Sequence, residues 1–297
     1  MREMIAVNNL LTAMSTQVLK REALMFDRIA VPQLSLLLPA FKVLMGTAPQ
    51  EMLDYEWLLG QGVLFEAAHD KTATIQSEEY QYVDRAAKAH MENVEGMYKE
   101  HGLGEFTEIR KEELVESMIK LKDALSDKVT NLARLATSED FQKNLASAFD
   151  YHARGMSIEL RELKGLDTYP ILLLPPPERL DKPSSETDII TITLNALPTP
   201  DENTPWEQIF EFRNDPDSRD KFIDLKDWMR GIAKAQLSPK EAEDKLEYLL
   251  SRYRRHIELH KMKVKTGAVE TILVTTGEMF EHLAHLEFGK LMKAPLW

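Results

Sequence analysis

Apolar side chains recur at spacings of four and three over long parts of this chain, the signature of one buried helical face. After Ser77 the positions Val83, Ala87, His90, Val94, Met97 and His101 keep that register, and Gly102 ends it. Leu114, Met118, Leu121, Leu125, Val129 and Leu132 form a second seam, with Glu112, Glu113, Glu116, Lys120, Lys122 and Asp123 mainly on its wet side. Two such helices joined by a short connection predict an antiparallel hairpin. A third helix is expected from Ser138, with Phe141, Leu145 and Phe149 in register. Later seams run through Phe222, Leu225, Met229 and Ile232, then Leu246, Leu249, Tyr253 and Ile257, then Phe280, Leu283, Leu286 and Leu291.

Between these helices lie short stretches with the length and composition of strands. Residues 24–31, ending at Pro32, predict one strand, and 62–66 a second. Residues 50–59 form a helix between them, closed by Gly60 and Gly62. Residues 8–22 carry helical spacing ahead of the first strand. Residues 169–174 are a buried-strand candidate, and in 190–195 Ile190, Ile192 and Leu194 alternate with Thr191, Thr193 and Asn195, the period of a half-buried strand. Helix-start signals repeat: Thr204-Pro205-Trp206-Glu207, Asp215-Pro216-Asp217 and Ser238-Pro239-Lys240-Glu241 each set a capping side chain before a proline that has no amide to lose. The expected class is therefore α+β, predominantly helical, with a small sheet of about four scattered strands. Residues 1–175 hold the strand-helix-strand unit and the helical hairpin, 175–187 a proline- and serine-rich loop or linker, and 188–297 a strand followed by a helical region.

Composition narrows the chemistry. A chain of 297 residues that is 43% hydrophobic can bury a sizeable core. Its formal charge of −12 opposes non-specific adhesion to polyanions except through a local basic patch. Cysteine is absent, which excludes disulfides, thiolate nucleophiles and cysteine-ligated metal centres and fits a reducing compartment. With no signal-like amino terminus and no long apolar run, a soluble, cytoplasmic protein without membrane association is expected.

The segments Phe26-Asp27-Arg28-Ile29, 57–66, Thr204-Pro205-Trp206-Glu207-Gln208-Ile209-Phe210-Glu211-Phe212-Arg213 and 256–263 resemble segments of bacterial proteins that have no assigned activity. The resemblance implies a bacterial protein and an association with defence genes, and it transfers no catalytic residue.

Candidate sites come from the residues themselves. His256 and His260 stand at i and i+4 on one helical face, a spacing that can chelate a divalent metal, although Glu258 points roughly 200° around from the first histidine and is misplaced for a zincin. Glu278 with His282, and Glu281 with His285, repeat that spacing, which also suits ordinary surface pairing. Glu66-Ala67-Ala68-His69 holds the one Glu-x-x-His spacing, at i and i+3. Asp27 and Glu66 sit at or beside expected strands, where metal-dependent nucleases project carboxylates, and Asp150 upstream of Glu162-Leu163-Lys164 falls on a helix and is set aside. Arg252, Arg254, Arg255, Lys261, Lys263 and Lys265 form the densest basic run, a phosphate-binding candidate that equally complements a helix C-terminus. No strong motif requires a cofactor: there is no glycine loop for phosphates and no nucleophile elbow. The expected function is non-catalytic, through a protein partner or self-association, as an accessory or sensor in defence or stress response. The alternatives are a metal-dependent nuclease or phosphodiesterase using Asp27 and Glu66, and nucleic-acid binding through the 252–265 helix.

Overall fold

The computed structural model describes residues 3–9, 16–32, 34, 50–70, 74–102, 134–135, 138–172, 197, 199–201 and 203–235, with further positions at 247–248, 251, 255, 257 and 264–265. The protein is predominantly helical α+β around a small sheet. The sheet has four parallel strands, β1 (Met4–Val7), β2 (Arg28–Pro32), β3 (Leu64–Ala67) and β4 (Asp167–Pro170), in the order β3-β2-β1-β4. Along the chain, α1 (Thr16–Ala23) precedes β2, α2 (Gln50–Gly60) precedes β3, and α3 (Glu78–Glu100) and α4 (Glu139–Lys164) precede β4. The strands thus step outward from β1 to β3, then return to the other side of β1, where the strand order reverses. β5 (Thr199–Pro200), α5 (Trp206–Asn214), α6 (Pro216–Ala235) and β6 (Val264–Lys265) follow, β5 pairing antiparallel with β6.

A strand of a parallel sheet is covered on both faces and so shows no polar alternation. All four residues of β1 are fully buried, with Met4 and Ala6 on one face and Ile5 and Val7 on the other. The first face packs with Leu19 and Ala23 of α1, Tyr55 and Leu58 of α2, and Trp206, Ile209 and Phe212 of α5; Leu225 and Met229 of α6 and Ile257 belong to the same core. The second face is covered by Met156 and Leu160 of α4. Helix α3 lies antiparallel on α4: Glu79 meets Arg161 at 3.3 Å, Val83 lies beside Gly155, and His90 meets Asn144 at 3.0 Å. A β-carbon at Gly155 would make ordinary van der Waals contact with Val83 Cγ1 at 3.6 Å, so the two helices meet here at normal packing distance.

Several expectations hold with adjusted limits. Ser77 caps α3 and Ser138 caps α4, their hydroxyls accepting from the amides of Tyr80 and Phe141. Gly102 and Gly165, with φ of 69° and 64°, take up the left-handed conformation at the ends of these helices, where a β-carbon is disfavoured. Asp215 caps α6, its carboxylate accepting from Ser218 N at 2.9 Å and Ser218 Oγ at 3.0 Å. Pro205, one residue after the expected Thr204, occupies the cap position of α5 and makes no side-chain capping bond of its own.

Other expectations change. β1 is an addition, since its four residues lie ahead of the region read as helical. The strand expected over 24–31 begins only at Arg28, because the amides of Leu24, Met25 and Phe26 donate to the carbonyls of Arg21 and Glu22 and finish the turn out of α1. The strand expected at 169–174 begins at Asp167. The described partner of the helix after Ser77 is α4; the seam at 114–132, the loop 175–187, the alternation at 190–195, the start at Ser238 and the helix after Glu278 lie outside the described residues. No described helix is long and apolar enough to cross a membrane.

Phe212 is 1% exposed and ties α5 to the sheet. Phe212→Ala should lower the unfolding free energy by about 3–5 kcal/mol in urea denaturation, whereas a loss under about 1 kcal/mol would mean that α5 is not seated there.

Candidate functional site

The two ends of the sheet differ in how their polar groups are used. At the amino end, carboxylates are neutralised. Asp27, just before β2, accepts from Met4 N at 2.7 Å and donates its own amide to Met4 O at 2.8 Å. Arg213 of α5 donates to the Asp27 carbonyl at 2.5 Å and has its carboxylate at 3.7 Å. Asp167, at the start of β4, takes Arg230 at 2.6 Å, the buried Lys226 at 3.5 Å and the Tyr169 hydroxyl at 2.7 Å. These pairs anchor α5 and α6 to the sheet.

At the carboxyl end the pattern is different. Asn8 and Asn9 follow directly on β1 and are fully buried. The Asn8 amide continues the ladder to Ala30 O at 2.9 Å, while successive side chains turn to opposite faces: Asn8 Nδ2 donates to Glu22 Oε2 of α1 at 2.7 Å, and Asn9 Nδ2 to Asp150 Oδ1 of α4 at 3.1 Å. Glu22 has no solvent exposure, and its second oxygen, Oε1, has no hydrogen-bond partner. Burial pushes its pKa up to about 8, against the opposing pull of Arg21 and of the Asn8 hydrogen bond. Arg21, also buried, has its pKa lowered by the same desolvation, and its Nε is unpartnered. Lys20, buried next to them in sequence, holds its Nζ 5.7 Å from the Trp206 ring centre. An eight-residue helix with three consecutive charged residues buried is a costly arrangement that apolar packing alone does not require.

A second cluster lies just beyond β3. His69 Nδ1 meets Glu159 Oε2 at 2.6 Å, its Nε2 meets His152 Nε2 at 2.9 Å, and the Asp70 amide donates to Glu159 Oε1 at 2.5 Å. His152 and Glu159 stand seven residues apart on α4, two turns along one face. Burial, and then the neighbouring His69, lower the His152 pKa to about 4, with Glu159 acting in the opposite sense, so that imidazole is neutral near pH 7. Alongside, His90 stacks on Tyr151 with 5.6 Å between ring centres.

The residues picked out from sequence fall differently. Asp27 belongs to the amino end, and Glu66, on β3 opposite Val31, to the other, so the two are not brought together. Arg255 is exposed on a helix and Lys265 lies in β6; Arg252, Arg254, Lys261, Lys263, His256, His260, Glu278, Glu281, His282 and His285 lie outside the residues or side chains described. His69 had been noted for its spacing to Glu66 and instead pairs with Glu159 and His152. Asn8, Asn9, Glu22, His152 and Glu159 carried no spacing signal, and Asp150, set aside on its helix, is the one that meets Asn9. The signal that could have found Asn8 and Asn9 was a polar pair directly after a four-residue apolar run, legible only once Met4–Val7 is recognised as a strand. Compared with models of protein families, with curated proteins and with solved structures, the chain finds no match.

The Glu22 carboxyl makes a pH test possible. Below its ordinary value of 4.5 it is protonated in both folded and unfolded chains; between 4.5 and about 8 only the unfolded chain ionises it, so its contribution to stability declines as pH rises. Relative to the parent, Glu22→Gln should gain stability across that window, by at most about 1.4 kcal/mol per pH unit. Parallel stability profiles for the two proteins, from denaturant titrations at stepped pH, would contradict this assignment.

Proposed function

We propose that this protein binds a small polar ligand at the carboxyl end of its parallel sheet, with Glu22 and Asn8 meeting it and Asn9 and Asp150 bracing the opposite side. The observation that carries the reading is the unpartnered Glu22 Oε1, fully buried one hydrogen bond from the residue that follows β1. In sheets of this kind ligands sit beyond the carboxyl ends of the strands where the strand order reverses, here beside β1. A buried polar atom without a partner is costly enough that its retention points to a use.

The chemistry available is hydrogen bonding with a proton that can be held or given up near neutrality. A carboxyl with a pKa of about 8 is largely protonated at pH 7, where it can donate to an acceptor on a ligand and, on losing the proton, act as a base. A protein-partner module in defence or stress response is the second reading; Leu53, Tyr82, Leu163 and Tyr248 are exposed large apolar side chains among the described residues. A nuclease built on Asp27 and Glu66 has its two carboxylates at opposite ends of adjacent strands, with Asp27 engaged by Arg213.

Equilibrium dialysis of the purified protein against a deproteinised small-molecule extract, read by mass spectrometry, tests the proposal. At least one compound should be enriched by the parent and bound about tenfold or more weakly by Glu22→Ala and by Asn8→Ala, with both variants checked for folding by circular dichroism. Retention of the same compounds by parent and folded variants alike, or of none by any, would reject it.

A further inference from the structure

The cluster beyond β3 has a geometry that the Glu22 proposal does not use. His69 and His152 come from separate elements, the segment after β3 and the middle of α4, and still direct their Nε2 atoms at one another across 2.9 Å, with the rings at 75°. The other nitrogen of His69 is committed: Nδ1 lies 2.6 Å from Glu159 Oε2, and the opposite oxygen of that carboxylate takes the Asp70 amide. Glu159 is 5% exposed in its side chain and held from two sides, so it fixes both the ring orientation and the tautomer of His69. With the Nδ1 proton on the carboxylate side, His69 Nε2 presents a lone pair. That is the outer carboxylate, inner imidazole order by which proteins orient histidine ligands toward a metal.

We propose that His69 and His152 are the two protein ligands of an open divalent transition-metal site, with Glu159 as the carboxylate that positions His69. Two imidazole nitrogens on a tetrahedral ion at about 2.0–2.1 Å each stand roughly 3.3 Å apart, so the pair needs to part by only a few tenths of an ångström. Nitrogen donors select zinc, nickel, copper or cobalt over magnesium or calcium. Among the described residues no group of three or more potential ligands is assembled, so the proposal commits His69 and His152 alone. The His69 side chain is 34% exposed, which leaves an entry path. The site shares the carboxyl end of the sheet with Glu22 and does not depend on the ligand reading.

Cobalt(II) titration of the full chain, followed by its visible absorption, tests this directly, since the eight histidines of the chain include others that can bind metal non-specifically. A saturable band should appear in the parent and be lost in His69→Ala/His152→Ala. It should require about ten- to hundredfold more metal in Glu159→Gln and persist in His101→Ala, whose ring nitrogen is engaged by the Met97 carbonyl. If the double variant does not fold, zinc protection of the parent against diethyl pyrocarbonate, mapped by peptide mass spectrometry, serves instead: His69 and His152 should both be protected. An absent band, one that survives in the folded double variant, or unprotected His69 and His152 would each overturn the proposal and leave a hydrogen-bonded imidazole pair.

Discussion

Everything in this molecule depends on the four residues of β1 being held between two parallel neighbours. Met4–Val7 bonds to β2 on one side and β4 on the other, and a parallel strand so placed must be covered on both faces. That requirement recruits α1, α2 and α5 to one face and α4 to the other. It also defines two ends with different duties. Asp27 and Asp167, placed at the starts of the strands that flank β1, are joined to Arg213 and Arg230, so charge at the amino end is spent on docking the later helices.

Beyond β1, the same pleat turns Asn8 and Asn9 to opposite faces, where they meet Glu22 and Asp150. Among these groups Glu22 Oε1 is buried without a hydrogen-bond partner, and an unsatisfied buried polar atom costs stability. A buried atom without a partner occurs at each end, Arg213 Nη1 beside Asp27 and Glu22 Oε1 beside Asn8, and the second lies at the end where parallel sheets bind their ligands. Helix α4 links the parts of the functional end: Asp150 serves the segment after β1, and His152 and Glu159 serve the segment after β3, while Met156 and Leu160 on the same helix fill the core beneath. A helix that carries packing and polar contacts together holds its side chains on a rigid element, which favours precise placement.

How much of this could be read from the chain follows from the range of each interaction. Ser77, Ser138 and Asp215 as helix starts, Gly102 as a stop, and the apolar face of α3 are local: a cap bonds an amide three residues away, and a helical face repeats every few residues, so both are written in neighbouring letters. The helical character of the protein was therefore determined by sequence alone. β1 escaped because a strand buried on both faces has no alternation, and its four apolar residues fit several readings. The limits of β2 shifted because Leu24, Met25 and Phe26 suit a strand in composition, while their amides close the turn from α1.

The site was decided by tertiary structure. Asn9 meets Asp150 across 141 positions of sequence and His69 meets Glu159 across 90, so neither spacing nor composition could bring those partners together. Asp27 and Glu66 illustrate the complementary case: both are acids at strands, and only the parallel register reveals that they occupy opposite ends. Sequence determined which segments would be helical, since that rests on contacts a few residues apart. Which polar groups would share a buried edge was set by strand order, a property that exists only once distant segments have paired.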